Sequence, residues 1–197
     1  MPRFSLAAAL LALAALAACV PPAEPVAAPP PPAPSTNPVV GGAVMDPART
    51  IFANASASRD HTTLMTAMHA AGLETTLSGA APITFFAPTN AAFAKLPPTT
   101  VETLLQPVNR ALLAKLLGYH VVPGRKTEAQ IAADIRAGGG IASYRTVAGD
   151  TIRLGMQSGR LVLWDAKNGR SAVTQGDIVN SNGVMHVVDT VLLPRID

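Results

Sequence analysis

The fold class predicted for this chain of 197 residues is α+β, on three observations. Apolar residues recur at helical spacing from Asp46 to about Ile135. One short apolar strand, Ile83 to Ala87, interrupts them. After the glycines at 138 to 140 the period becomes strand-like alternation. Helices first and strands later make one domain over 46–197, long enough to bury about two-thirds of its unfolded surface.

Asp46-Pro47 reads as an N-cap with proline at the first helical position, and Ile51, Phe52 and Ala55 then share a face. A second helix from about His61 to Ala71 aligns Leu64, Met68 and Ala71 and stops at Gly72. The strand Ile83 to Ala87 ends at Pro88. Thr89 caps a brief helix holding Phe93 and Leu96, which Pro97-Pro98 closes. Thr99 and Glu102 make a capping box ahead of Leu104 and Leu105, and Pro107 ends that helix. Asn109 caps the strongest pattern, in which Leu112, Leu113, Leu116 and Leu117 share a face until Gly118. Thr127 and Gln130 form another capping box, opening a helix with Ile131 and Ile135 inward.

In the strand-rich half, Ile152, Leu154 and Met156 alternate with Thr151, Arg153 and Gly155. Gln157-Ser158-Gly159 turns the chain into Leu161 to Trp164, and Asn168-Gly169, a favoured hairpin turn, precedes a strand near Ala172 to Thr174. The last strand, Val184 to Leu193, is apolar on both faces, which places it in the middle of the sheet.

Residues 1–18 have the make-up of an export signal. Arg3 supplies a positive end, and Phe4 to Leu16 form an apolar run too short to span a bilayer. Leu16-Ala17-Ala18, before the single cysteine, resembles the lipobox of bacterial lipoproteins, in which that cysteine is acylated, palmitate included, and begins the mature chain. The resemblance implies that Cys19 is a stable lipid anchor carrying more than one chain. In the enterobacterial lipoproteins that this segment resembles, Val20 in place of an aspartate implies release from the inner membrane, and so an outer-membrane place in the cell envelope. Residues 19–45 then form a tether rich in proline and alanine, with Glu24 as the sole charge between Pro21 and Pro38. Fully extended from Val20 to Met45, it reaches on the order of 80 Å.

Composition excludes several functions. Aromatic residues are 4% of the chain, too few for an aromatic sugar-binding platform or a base-stacking surface, so nucleic acid is not an expected partner. The net charge is +3, but Arg110, Lys115, Arg125, Lys126, Arg136, Arg145, Arg153, Arg160, Lys167 and Arg170 outnumber the acids of the same stretch. Gathered on one face they would favour an acidic polysaccharide or lipid headgroups; scattered, they are a solvated surface. His61 and His69 lie too far apart along one helix to bind one ion directly, and a second cysteine is lacking, so neither metal nor cofactor is expected. Neither a nucleophile elbow nor a phosphate-binding glycine loop is present, and the expectation is a non-catalytic protein.

Three segments carry a resemblance: Ile83-Thr-Phe-Phe-Ala-Pro-Thr-Asn through Pro97, Leu116-Leu-Gly-Tyr-His-Val-Val-Pro-Gly, and Ser181-Asn-Gly-Val-Met-His-Val-Val-Asp through Pro194. In order and spacing they resemble the first conserved region, the Tyr-His motif and the second conserved region of the fasciclin domain family. That resemblance implies a compact wedge, a small β-sheet sandwich with helices packed around it. It also implies a monomeric adhesion or protein-interaction module outside the cytoplasm, whose partner is a protein or an envelope or matrix polymer. An envelope module for an anionic glycan or lipid is the alternative, and an uncharacterised enzyme a further one.

The family's Tyr-His motif has been linked to adhesion. Tyr119 and His120 match it, with Val121 and Val122 beside them, and the basic Arg125 and Lys126 complete the candidate partner-binding residues. Tyr119 and His120 point in different directions, so one can pack while the other shows itself; structural use in joining helix to sheet is favoured over direct partner contact, and a buried motif can still shape an exposed surface. His186, on an apolar strand face, is expected to be a neutral structural histidine. Asp189, on the opposite face, needs donors, sought near Thr89 and Asn90. Asn182-Gly183 reads as a turn.

Overall fold

A computed structural model describes residues 37–195. The expected signal peptide, Cys19 and the tether up to residue 36 lie outside the described residues. Residues 39–45, expected in the tether, are folded. β1 (Val39–Val40) and β2 (Ala43–Val44) pair around Gly41-Gly42, both at positive φ, and Val40 and Met45 are buried in the core. The folded unit thus begins ahead of Asp46.

Local chemistry accounts for the helices and for departures from expectation. α1 (Ile51–Ala57) starts later than Asp46-Pro47 suggests. Thr50 is its cap, accepting from the Ala53 N–H at 3.2 Å, whereas Asp46 accepts from the Ala48 N–H at 2.9 Å in an Asx turn. A 3-10 turn, Arg59–His61, precedes α2 (Thr62–Ala71), which ends on Gly72 at φ 72°. α3 (Glu74–Ser78) has no counterpart in the sequence expectations. Thr89 caps α4 (Asn90–Ala94) as expected.

α5 (Pro98–Leu104) starts one residue before Thr99, which is left inside the first turn, and the expected capping box does not form. At α6 (Arg110–Gly118), Asn109 occupies the cap position, but its amide instead donates to the Thr103 carbonyl at 2.7 Å. α7 (Glu128–Ala137) has both bonds of the Thr127–Gln130 capping box.

The seven longer strands are β3 (Ile83–Pro88), β4 (Val121–Pro123), β5 (Ile141–Arg145), β6 (Thr151–Gln157), β7 (Arg160–Trp164), β8 (Arg170–Asn180) and β9 (Gly183–Val188). Their order is β4-β3-β9-β8-β7-β6-β5, antiparallel throughout except for β3 with β9. β9 lies between β3 and β8 with all six residues buried, the central place its sequence predicts. It ends at Val188, short of Leu193, because the following residues leave the ladder: the Leu193 N–H donates to the Asp165 carboxylate at 3.0 Å. β8 changes partner along its length. Ala172 pairs with β7, Val173 onward pairs with β9, and two irregularities there fold the sheet into halves. The Val147 N–H donates to the Val121 carbonyl at 2.8 Å, bringing the β5 end back to β4 in a barrel-like sandwich.

β3 and β9 divide two cores. Phe85, Ala87, Met185 and Val187 pack with the helices α1 to α6. Phe86 and Val188 pack with Tyr119, Ile131, Ile152, Leu154 and Leu163. Met156, on the same alternation as Ile152 and Leu154, is 49% exposed and lines a groove with Ala129 and Ala132 of α7.

Candidate functional site

α6 runs straight into the Tyr119-His120 pair, and β4 follows. His120 is fully buried. The Leu192 N–H donates to its Nε2 at 3.0 Å, so that nitrogen is bare, and Nδ1–H donates to the Leu116 carbonyl at 2.9 Å. Burial pushes the imidazole pKa down to about 4. Tyr119 is also fully buried, with its hydroxyl donating to the Thr151 carbonyl at 3.0 Å. Burial, then the Asp165 charge, push its pKa up to about 12.

Val121 packs in the helical core and Val122 in the other. Tyr119, His120, Val121 and Val122 are all buried, which fits the favoured use of the motif in joining helix to sheet, where it can still shape an exposed surface. Cores on both sides of this segment leave no solvent face, and Tyr119 and His120 pack together rather than one of them showing itself.

His186 is held in the opposite sense. The Asp177 N–H donates to its Nδ1 at 3.3 Å, and Nε2–H donates to the Lys126 carbonyl at 3.0 Å. The ring stacks on Phe86 at 5.5 Å, and burial lowers its pKa. Thr84 adds a second grip on the same turn, its hydroxyl donating to the Gly124 carbonyl at 2.7 Å and accepting from the Lys126 N–H at 2.8 Å.

The turn so fixed presents Arg125, which is exposed and donates to the Asn180 carbonyl at 3.0 Å. Lys126 is half-buried: its ammonium lies 2.9 Å from Asp134 Oδ2 and 5.1 Å above the Tyr144 ring. The Tyr144 hydroxyl, donating to that same oxygen, and the Lys126 ammonium hold Asp134 below the usual carboxylate range.

Asn90 and Asp189 serve different joints. Asn90 does not meet Asp189; it accepts from the Thr63 N–H at 3.0 Å and donates to the Arg59 carbonyl at 2.9 Å, tying α4 to the start of α2. Asp189 is half-exposed rather than buried. It accepts from the Ala172 N–H at 2.9 Å and the Thr190 hydroxyl at 3.1 Å, with the Lys95 ammonium 3.4 Å away.

The residue missed is Asn182, which is more than a turn. Its Oδ1 accepts from the Ile51 N–H at 2.9 Å, and its amide donates to the carbonyls of Leu77 at 2.7 Å and Gly79 at 2.9 Å. A Cβ on Gly183 beside it would collide with the Ile83 carbonyl. An Asn-Gly pair signals a turn in any sequence, and only the packed fold shows that this one joins α1, α3 and β3.

His120 and His186 have no ring nitrogen free to move a proton, and the larger grooves of the described surface are lined by other residues. Among the described residues, no group of three or more His, Cys, Asp or Glu could hold a metal ion, and no helix is long and apolar enough to cross a membrane. A model of the fasciclin domain matches residues 59–194, a span that includes the Tyr-His junction, both of these histidines and Asn182. The chain belongs to the fasciclin domain family.

This fasciclin domain is 42% identical over 156 residues to protein sll1483 of Synechocystis sp., covering 79% of each chain. It is 31% identical over 132 residues to the transforming growth factor-beta-induced protein ig-h3 of Sus scrofa, covering 67% of this chain and 17% of that one. Among solved structures it is similar to the FAS1 domain pair from the insect cell adhesion molecule fasciclin I, with a TM-score of 0.66 and 18% identity. That match covers 74% of this chain and 51% of the pair, so this chain spans about half of that structure, and the likeness establishes the fold.

Proposed function

We propose that the protein is a non-catalytic adhesion or protein-interaction module of the cell envelope, anchored by lipid at Cys19 and held off the membrane by its proline-rich tether. The observation that carries this reading is the state of the motif histidines. Both are neutral, buried and engaged on both ring nitrogens, which suits a scaffold for contact surfaces and not proton transfer. Fasciclin domains occur in cell-adhesion and extracellular-matrix proteins, the insect molecule among them, and this chain shares that domain. The partner is another protein or an envelope or matrix polymer, met by one domain acting as a monomer.

Cells displaying the protein are expected to aggregate or to adhere to a matrix, and cells producing Cys19→Ser are expected to lose that behaviour while the domain stays folded. Membrane association and acyl labelling that survive Cys19→Ser would remove the anchor from this reading. Adhesion equal to that of cells lacking the protein would remove its function.

A further inference from the structure

The half-sheet β5 to β8 covers the second core with one face and meets solvent with the other. Pairing puts Arg153, Trp164 and Arg170 side by side on three neighbouring strands. Arg145 lies two residues beyond Ser143, the partner of Arg153, and Arg160 lies four residues before Trp164. Directly opposed residues and their i+2 neighbours share a face, so four arginines share this face with one tryptophan, Arg153 and Arg170 directly beside it. All four are exposed, and the paired segments of these strands carry no carboxylate on that face.

None of the four takes part in an ion pair among the described residues. Among the described residues, Arg153 and Arg170 donate to the neutral amides of Asn168 at 2.7 Å and Gln157 at 3.1 Å. Asp150 and Asp165 share a groove with Arg153, but Asp150 faces Lys115 at 3.7 Å and Asp165 accepts from the N–H groups of Lys167, Gly169 and Leu193. Glu128 lies across a groove from Arg160 at one end.

Trp164 is placed by a glycine. A Cβ on Gly155 would lie 2.8 Å from Trp164 Cζ3 and 3.0 Å from Cη2, so the indole lies over the strand where any other residue would displace it. A half-exposed ring flanked by guanidinium forks offers an apolar surface to the C–H face of a sugar and paired donors to its acidic groups. The row is about 14 Å wide over four strands, which suits an extended polymer better than a single small anion. A bilayer surface has no fixed charge spacing for the forks to match. Aromatic scarcity weighs against a platform of several rings, but one central indole needs no others. Of the basic residues whose gathering would favour an anionic partner, Arg125 and Lys126 lie elsewhere, on the turn gripped by Thr84 and His186.

We propose that this face binds an acidic polysaccharide, with its carboxylates or sulfates in the arginine forks and a sugar ring against Trp164. The proposal rests on the interaction-module reading and names its partner. Trp164 is the only tryptophan in the chain, so its emission reports the site directly. Titrating the full chain with alginate, a polyuronate, is expected to give saturable binding with a shift in Trp164 emission, while neutral dextran gives neither. Arg153→Glu combined with Arg170→Glu is expected to weaken alginate binding at least about tenfold without moving the urea midpoint.

Binding that survives the double substitution, binding without an emission change, or stronger binding to phosphatidylglycerol vesicles than to alginate would each overturn the assignment. So would failure to bind both alginate and dextran sulfate. Aggregation of cells displaying the protein is scored separately. If it persists while glycan binding is absent, only this surface is lost; if glycan binds and aggregation is absent, the adhesion reading is what fails.

Discussion

His120 and His186 are neutral in opposite tautomers on either side of Phe86: the Phe86 N–H donates to the His120 carbonyl at 2.9 Å, and the His186 ring stacks on the Phe86 ring. His120 donates through Nδ1 and His186 through Nε2. Asparagine places an amide near the Nδ1 position and glutamine near Nε2. His120→Asn and His186→Gln are therefore expected to lose less stability than either alanine variant, each of which costs about 2 to 3 kcal/mol. The crossed pair, His120→Gln and His186→Asn, is expected to match alanine. Urea unfolding of the six variants checks this, and equal losses throughout would refute the tautomer assignment.

Acid is expected to weaken the fold before carboxylates titrate. The unfolded His120 takes its proton near 6.5, whereas the folded one resists until about 4. Between those values the unfolded state binds more protons, so stability is full above pH 6.5, falls as pH drops towards 4, and levels below that. For His120 alone the loss amounts to about 3 kcal/mol. The lowered pKa values of His61 and His186 act in the same direction. Urea midpoints measured from pH 7 to pH 4 test the sign, and His120→Asn should flatten the slope.

Asn182→Ala leaves one N–H and two carbonyls without their partner and is expected to cost about 3 kcal/mol. Asn182→Asp should be worse, because a carboxylate would face two carbonyl oxygens. Thermal melts of the two variants would show the order; an aspartate variant as stable as the parent would contradict the bonding described.

The segment from Val121 to Lys126 should divide sharply. Val122→Ala opens space in the second core and is expected to cost about 2 kcal/mol, whereas Arg125→Ala, at an exposed position, should stay within about 0.5 kcal/mol. Calorimetry on both variants, with adhesion scored in parallel, separates scaffold from contact surface.

Much of the fold is legible in the sequence because it rests on local chemistry. The Thr127–Gln130 box, the Thr89 cap and the αL stop at Gly72 depend on a few neighbouring residues, and all three form as their patterns predict. The two-faced apolar run of β9 likewise reveals its central place. Legibility fails where partners are distant. Thr50 displaces Asp46 as a cap because Asn54, packed against Asn180, also draws in the Asp46 backbone. The Tyr-His pair looks half-exposed from its place between helix and strand, since nothing local shows that Leu192 and Thr151 close over it. The arginine face depends on cross-strand register, and no linear spacing displays it.

The division of β3 and β9 between two cores also sets how the protein can open. Neither half can melt alone without uncovering Phe85 on one side or Phe86 on the other, so amide protons of Ile83 to Ala87 and Val184 to Val188 are expected to exchange with deuterium only through global unfolding, as a single slowest class. The β1–β2 hairpin, tied down mainly by Val40 and Met45, would exchange by separate local opening that leaves both cores intact.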